Sequence, residues 1–395
     1  MSEPSSGGLS FSFLTPEYRR NVFFIYERKL RVFSPPEKVF DYFSSVKSRD
    51  GTFMTSLDLM RAAVPVFQPV DSNHIRSGFL GGEHRDEEED ESHHSNPKSD
   101  FFKLFDTDGD GLISFPEYVF FTTLLSLPES QVKSTFEQFD ADGSGGLCRG
   151  EFIEMMKVMR RSTSRGNATG LRTGLKATNV DDLSGGLVHY LFGEPGSKSE
   201  HKLSLAQFSD FLHRLRTEID ELEFYHYDMN NTGSISVQDF GYSVVANANV
   251  ARMSYFIDRV AKLGSSSLAS TTNQPEKGGG EEAAGGGRGW MRKKKAVAAA
   301  EESGEKEQRV TKAQFLAFCK LLKHGGTTFQ AKMKNHVSAG GVLSKELFLK
   351  MAKECGATLS ETQVDVLFFI FDVDGDGKLS PEEILDVVCR CRDDH

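Results

Sequence analysis

The feature that most constrains this chain is a twelve-residue segment, Asp106-Thr-Asp108-Gly-Asp110-Gly111-Leu112-Ile113-Ser114-Phe-Pro-Glu117. It places carboxylates at positions 1, 3, 5 and 12, a glycine at 6 and an apolar residue at 8. Carboxylates this close repel one another unless a cation sits among them. The glycine permits the sharp turn that aims them inward. A carbonyl at position 7, here that of Leu112, completes an all-oxygen shell. Hard divalent cations that accept six to eight oxygens at long, variable distances suit such a shell, and calcium suits it best.

The pattern recurs. Asp140-Ala-Asp142-Gly-Ser144-Gly145-Gly146-Leu147-Cys148-Arg-Gly-Glu151 keeps three carboxylates, with Ser144 at position 5, the Gly146 carbonyl at 7 and Cys148 at 9 as a poor oxygen substitute. Asp372-Val-Asp374-Gly-Asp376-Gly377-Lys378-Leu379-Ser380-Pro-Glu-Glu383 keeps four, with Lys378 offering its carbonyl. A third segment in chain order, Asp228-Met-Asn230-Asn-Thr232-Gly233-Ser234-Ile235-Ser236-Val-Gln-Asp239, keeps only Asp228 and Asp239. Aspartate at position 12 is one methylene short of a bidentate glutamate, so this loop is expected to be weak, magnesium-tolerant or empty. These are EF-hand loops, and their flanks agree. Each is entered by an aromatic helix, such as Leu367-Phe-Phe-Ile-Phe371, and left by an apolar one, such as Tyr118-Val-Phe-Phe121. The aromatics are core and the loops are the site.

EF-hands pair through their position-8 residues, here Ile113, Leu147, Ile235 and Leu379. The first two loops begin at 106 and 140, a spacing that suits a pair. Three further segments look like exit halves of hands without acidic ligands: Lys202–Phe208, Arg309–Phe315 and Val342–Phe348. They are expected to serve as structural partners.

Composition narrows the class. The chain has 395 residues, 38% hydrophobic and 26% charged, with a net charge of −10. That balance argues against nucleic-acid binding, which needs a basic face. No run of about 18 apolar residues occurs, so no membrane-spanning helix is expected. Five cysteines form no CxxC pair, so neither zinc nor a disulfide framework is expected, and Cys389 and Cys391 read as free surface thiols. No nucleophile elbow, phosphate loop or metalloprotease motif is present, and no enzyme is expected. Met1–Gly8 has the character of neither a secretory signal nor a mitochondrial presequence.

The fold expected is mostly α: EF-hand helix–loop–helix pairs in two lobes with a small N-terminal domain. In order these are a disordered start (1–16), the N-terminal domain (17–82) and an acidic solvated loop (83–98). A lobe with two hands and part of a degenerate one follows (99–218), then a third-hand region (219–263). A flexible Gly/Lys/Glu insertion (264–309) leads to a last lobe (310–395). Within the N-terminal domain, helices are expected over Tyr18–Arg31, Lys38–Ser45 and Asp58–Val64.

Tyr26-Glu-Arg-Lys-Leu-Arg31 through Phe43, with Phe53-Met-Thr-Ser-Leu-Asp-Leu-Met-Arg61 through Pro65, is foreign to generic EF-hand proteins. Together with Leu112–Tyr118, His189–Phe192 and Val366–Glu383, it resembles the mitochondrial calcium uptake regulators, the EF-hand gatekeepers of the calcium uniporter. The intact loop at Asp106 departs from the animal members and resembles plant and algal forms. The resemblance implies a calcium-sensing subunit of the uniporter complex in the intermembrane space, against the inner membrane. It implies a homo- or heterodimer that blocks import at resting calcium and relieves the block as calcium rises, with peripheral membrane contact. It also implies a pore-facing basic surface, to which Arg31, Lys38 and Arg61 correspond, although Asp41 stands where the animal pattern is basic. An ordinary charged helix surface is the other reading of those three residues. The other reading of the whole is a cytosolic EF-hand sensor or buffer acting on another protein.

Overall fold

The computed structural model describes residues 15–48, 51–68, 104–106, 110–162, 186–193, 201–263, 308–322 and 327–388. The acidic loop, residues 264–307, Asp108, Cys389 and Cys391 lie outside them.

The chain is mostly helical. Helix α1 (Pro16–Phe33) starts earlier than expected, because the Thr15 hydroxyl accepts the Tyr18 N–H and Pro16 fits the first turn. Helix α2 is Pro36–Phe43 and α3 is Ser56–Ala63. Between them lies a hairpin absent from the sequence reading, β1 (Val46–Ser48) against β2 (Gly51–Phe53). The middle of the chain carries α4 (Phe115–Ser126), α5 (Val132–Phe139), β3 (Gly146–Leu147), α6 (Arg149–Ser162), α7 (Gly186–Phe192) and β4 (Leu203–Ser204). A long α8 (Leu205–Tyr227) leads to β5 (Ser234–Ser236), α9 (Val237–Val245) and α10 (Met253–Leu263). Then come β6 (Arg309–Thr311), α11 (Lys312–Leu322), α12 (Thr327–Ser338), α13 (Lys345–Glu354), α14 (Glu361–Phe371) and α15 (Pro381–Val388).

The pairing of the hands corrects the expectation that the first two loops face each other. Each loop instead pairs with a half-hand that lacks the ligand set. Ile113 bridges Met54, with N–H···O distances of 2.8 and 2.9 Å. Leu147 pairs with Leu203, Ile235 with Val310, and Leu379 with Leu343. Three of these partners are the half-hands read in the sequence. The fourth, α2–hairpin–α3, hid inside the N-terminal domain. Its position-12 equivalent is Asp58, four residues after Met54 and 3% exposed. The Asp58 carboxylate accepts the Ser45 N–H at 3.2 Å, the Ser45 hydroxyl at 2.6 Å and the Thr55 N–H at 2.9 Å. Hydrogen bonds thus close this hand where an ion closes a working one. The other silent halves carry Gln207, Gln314 and Leu347 at the same place, none of them anionic.

Two cores result. One runs from Leu30 and the N-terminal helices through α4–α7 to Leu222 on α8. The other starts at Phe224 and takes in the rest of the chain. Helix α8 belongs to both, so the expected division at 218 falls inside a continuous helix. The N-terminal segment shares the first core rather than forming a separate one. It also reaches the second: Phe24 and Phe67 are buried there. Phe67 stacks on Tyr242 with centroids 3.9 Å apart. The Phe67 N–H donates to the Tyr227 hydroxyl at 3.0 Å, and its carbonyl accepts His226 Nε2 at 3.2 Å. Arg309, placed in the insertion by composition, begins β6.

Among the described residues no helix is long and apolar enough to cross a membrane, and Cys148, Cys319 and Cys355 form no disulfide.

Candidate metal centre

The second, third and fourth loops follow the last turns of α5, α8 and α14 and turn on residues with positive φ. These are Gly143 and Gly145 in the second loop (63° and 80°) and Gly375 and Gly377 in the fourth (76° and 77°). The third uses Asn231 (52°) and Gly233 (75°), asparagine being one of the few side chains that tolerates this region. The turn aims backbone N–H groups at the first aspartate. Gly111 N donates to Asp106 at 2.8 Å, Gly145 N to Asp140 at 2.8 Å, Gly233 N to Asp228 at 2.7 Å and Gly377 N to Asp372 at 2.9 Å.

The position-12 glutamates close the loops. In the fourth, Glu383 is 6% exposed and accepts Val373 N–H at 2.7 Å and Ser380 N–H at 2.8 Å. In the second, Glu151 does the same with Ala141 at 3.1 Å and Cys148 at 2.8 Å. The Cys148 N–H leads the interactions that hold the Glu151 carboxyl below its ordinary value. In the first, Glu117, 4% exposed, accepts the Ser114 N–H at 2.7 Å and hydroxyl at 2.8 Å, while Leu112 N donates to Asp110 at 2.7 Å.

The residues present fit a divalent cation. In the second loop a carboxylate oxygen from each of Asp140, Asp142 and Glu151 lies within 4.8 Å of the others, and in the fourth the same holds for Asp372, Asp374 and Asp376. Burial pushes the Asp372 carboxyl up, with Glu383 adding in the same direction against the loop N–H groups. Such anionic crowding is what a bound cation relieves. Ser144 stands at position 5, and its N–H bonds both Asp140 and Asp142 at 3.0 Å. Lys378 is exposed and its N–H bonds Asp376 at 2.7 Å, leaving its carbonyl as the position-7 group.

The third loop differs. Asp239 accepts the Ser236 hydroxyl at 2.7 Å, as Glu383 accepts that of Ser380 at 2.9 Å, but with a side chain one methylene shorter. Burial pushes its carboxyl up, favouring the neutral form. Asp228, buried at 4% exposure, is taken up by the Thr232 N–H at 2.8 Å and hydroxyl at 2.9 Å. Asn230 is exposed, and Ser234 gives its carbonyl to the Thr232 hydroxyl at 2.8 Å.

The expected partner-facing surface needs correction. Arg31 is buried, with 4% exposure. Its Nη2 lies 3.1 Å from Glu27, its Nε donates to the Arg61 carbonyl at 2.9 Å, and its guanidinium sits 4.5 Å from the Phe43 ring centre. It serves the inside of the N-terminal domain. Arg61 leans the same way, 3.7 Å from Glu27 with its side chain 13% exposed. Only Lys38 is exposed. Lys202, read from the sequence only as the start of a half-hand, reaches the second loop, where its Nζ bonds Asp142 at 2.6 Å.

Comparison with known proteins agrees with this geometry. A model described as an EF-hand domain pair matches residues 339–391, and an EF-hand model matches 99–121 and 132–156. A protein of Arabidopsis thaliana called calcium uptake protein, mitochondrial, is 39% identical over 378 residues, 94% of this chain and 66% of that protein. The chain therefore spans just under two thirds of that relative's length. The crystal structure of EFHA2 in its calcium-binding state matches with a TM-score of 0.53 at 20% identity, over 90% of this chain and 99% of that one. The apo structure of the mitochondrial calcium uniporter protein MICU2 matches with a TM-score of 0.50 at 20% identity, over 89% and 87%. Those two likenesses concern the fold. With identity at that level across nearly all of its length, and calcium loops that keep their ligands, the chain belongs to the EF-hand family of mitochondrial calcium uptake proteins.

Proposed function

We propose that this chain is the calcium-sensing regulatory subunit of a mitochondrial calcium channel of the uniporter type, gating import as calcium fills its loops. The observation that carries this is the match along 94% of the chain to the plant calcium uptake protein, with working loops retained at Asp106, Asp140 and Asp372. The human relative named calcium uptake protein 1, mitochondrial, is 28% identical over 379 residues, in support.

In this reading Asp106, Asp108, Asp110, the Leu112 carbonyl and Glu117 hold one ion. Asp140, Asp142, Ser144, the Gly146 carbonyl and Glu151 hold a second. Asp372, Asp374, Asp376, the Lys378 carbonyl and Glu383 hold a third. The third loop, Asp228–Asp239, stays empty or takes magnesium weakly. A bound ion supplies positive charge at the loop centre. The chain's own part is to redraw Glu151 and Glu383 from backbone N–H groups toward that charge, which turns the exit helices α6 and α15 against their cores. Because α8 lies in both cores and Phe67 ties the N-terminal segment to its end, a change in one lobe reaches the other. The working unit is a homo- or heterodimer in the intermembrane space, docked peripherally on the inner membrane against the pore complex.

The test is calcium uptake by mitochondria with and without the protein, at resting and raised external calcium. Leak at resting calcium on removal supports gating. Unchanged uptake at both levels overturns it in favour of a cytosolic sensor or buffer.

A further inference from the structure

The four silent half-hands differ at the residue just before their bridging position. Beside the first and fourth loops it is apolar, Phe53 and Val342. Beside the second and third it is basic, Lys202 and Arg309. Each of these two cations reaches across the short sheet onto groups that the loop would give to an ion. Lys202 Nζ lies 2.6 Å from Asp142 Oδ2, position 3, and 2.7 Å from Ser144 Oγ, position 5. Arg309 donates from Nη2 to the Ser234 carbonyl, position 7, at 2.8 Å, and from Nε to the Ser234 hydroxyl at 2.9 Å.

The second loop is shaped to admit this visitor. A Cβ built on Gly146 would stand 3.0 Å from the Lys202 Cβ, so glycine at position 7 leaves room for the lysine stem. The other loops carry Leu112, Ser234 and Lys378 there.

We propose that Lys202 is a tethered cation that competes with calcium for the second loop and raises the calcium level at which that loop fills above that of the fourth. This rests on the reading of the second loop as a calcium site. The ion and the ammonium need the same Asp142 and Ser144 oxygens, since calcium binds oxygens at about 2.3–2.6 Å. A displaced ammonium remains nearby as a like charge. The pair is partly open to water, with side chains 45% and 55% exposed, so screening keeps the effect to several-fold rather than orders of magnitude. Arg309 takes the position-7 carbonyl of the third loop in the same way, and two carboxylates there are too few to draw in an ion against it.

The test uses the full-length chain carrying E117Q and E383Q, so that calorimetric titration with calcium reports the second loop. K202Q is expected to tighten binding by about three- to tenfold at fixed ionic strength, while K202R keeps the weaker affinity. Equal affinities, within twofold, for Lys202 and K202Q overturn the proposal while leaving the site intact. Absence of any binding heat in both forms, or heat that persists when E151Q is added, shows instead that the second loop is no calcium site, and the underlying reading fails with it.

Discussion

Phe67→Ala tests the joint between the two cores. The Phe67 side chain is 1% exposed. It stacks on Tyr242 at 3.9 Å and 11°, meets Phe24 edge-on at 4.8 Å, and lies under the Arg20 guanidinium at 3.9 Å. Cutting a buried phenylalanine to alanine costs about 3–5 kcal/mol through lost transfer energy and the cavity left behind. The stacked and edge contacts add about 1 kcal/mol. The backbone bonds to Tyr227 and His226 do not depend on the ring and limit collapse into the hole. A loss of about 5 kcal/mol follows. It falls on the contact between cores, so the two cores are expected to uncouple. Urea unfolding followed by circular dichroism, with calorimetry alongside, should show one transition splitting into two in calcium-free buffer. Phe67→Leu, which fills most of the space, should lose only about 1 kcal/mol and keep one transition. A loss below about 1 kcal/mol for Phe67→Ala, with a single unshifted transition, would refute the idea that this ring couples the lobes.

Glu383→Gln removes one of four carboxylates from the fourth loop and turns an amide toward N–H donors now bonded at 2.7 and 2.8 Å. Calcium affinity there should drop about a hundredfold or more, and a drop under tenfold in titration calorimetry would count against Glu383 as the closing ligand. Burial, aided by the Arg61 and Arg20 charges, lowers His226 to about 4 from an unfolded value of 6.5. In that window the unfolded chain holds the extra proton, so stability is complete above pH 6.5 and is lost as pH falls toward 4. The side chain is half-buried, which brings the expected loss to about 2 kcal/mol. Urea titrations at pH 7 and 4.5 should show it for the native chain and not for His226→Gln. Arg31→Gln takes from Glu27, 1% exposed, the cation that lies 3.1 Å away and should cost about 3 kcal/mol. Lys38→Gln, on an exposed position, should stay within about 0.5 kcal/mol, so a binding defect from Lys38→Gln at full stability would mark a genuine contact surface.

Some positions were legible because ion chemistry dictates residue type at fixed spacing. A loop that holds calcium needs carboxylates at 1, 3 and 12, and a residue that accepts positive φ at 6. Gly111, Gly145, Gly233 and Gly377 adopt it at 82°, 80°, 75° and 77°. The shorter closing side chain of the third loop, Asp239, was equally readable. The silent halves were readable only where an apolar bridge residue precedes an amphipathic helix, as at Leu203, Val310 and Leu343. Met54 escaped because a hairpin fills its loop and no ligand pattern marks it.

The ligand sets of the four loops were therefore legible from the sequence alone, since each lies within twelve consecutive residues. What the tertiary structure decided is everything settled between distant residues. Ile113 bridges Met54 while Leu147 pairs with Leu203, although all four lie in one core. Arg31, whose charge marks it for the surface, went inside because Glu27, the Arg61 carbonyl and the Phe43 ring came together around it. Lys202 met Asp142 across 60 residues of chain, a contact that no spacing rule encodes. Periodicity and ligand spacing report what a segment needs. Which partner supplies it depends on the competition among all the surfaces the chain must bury at once.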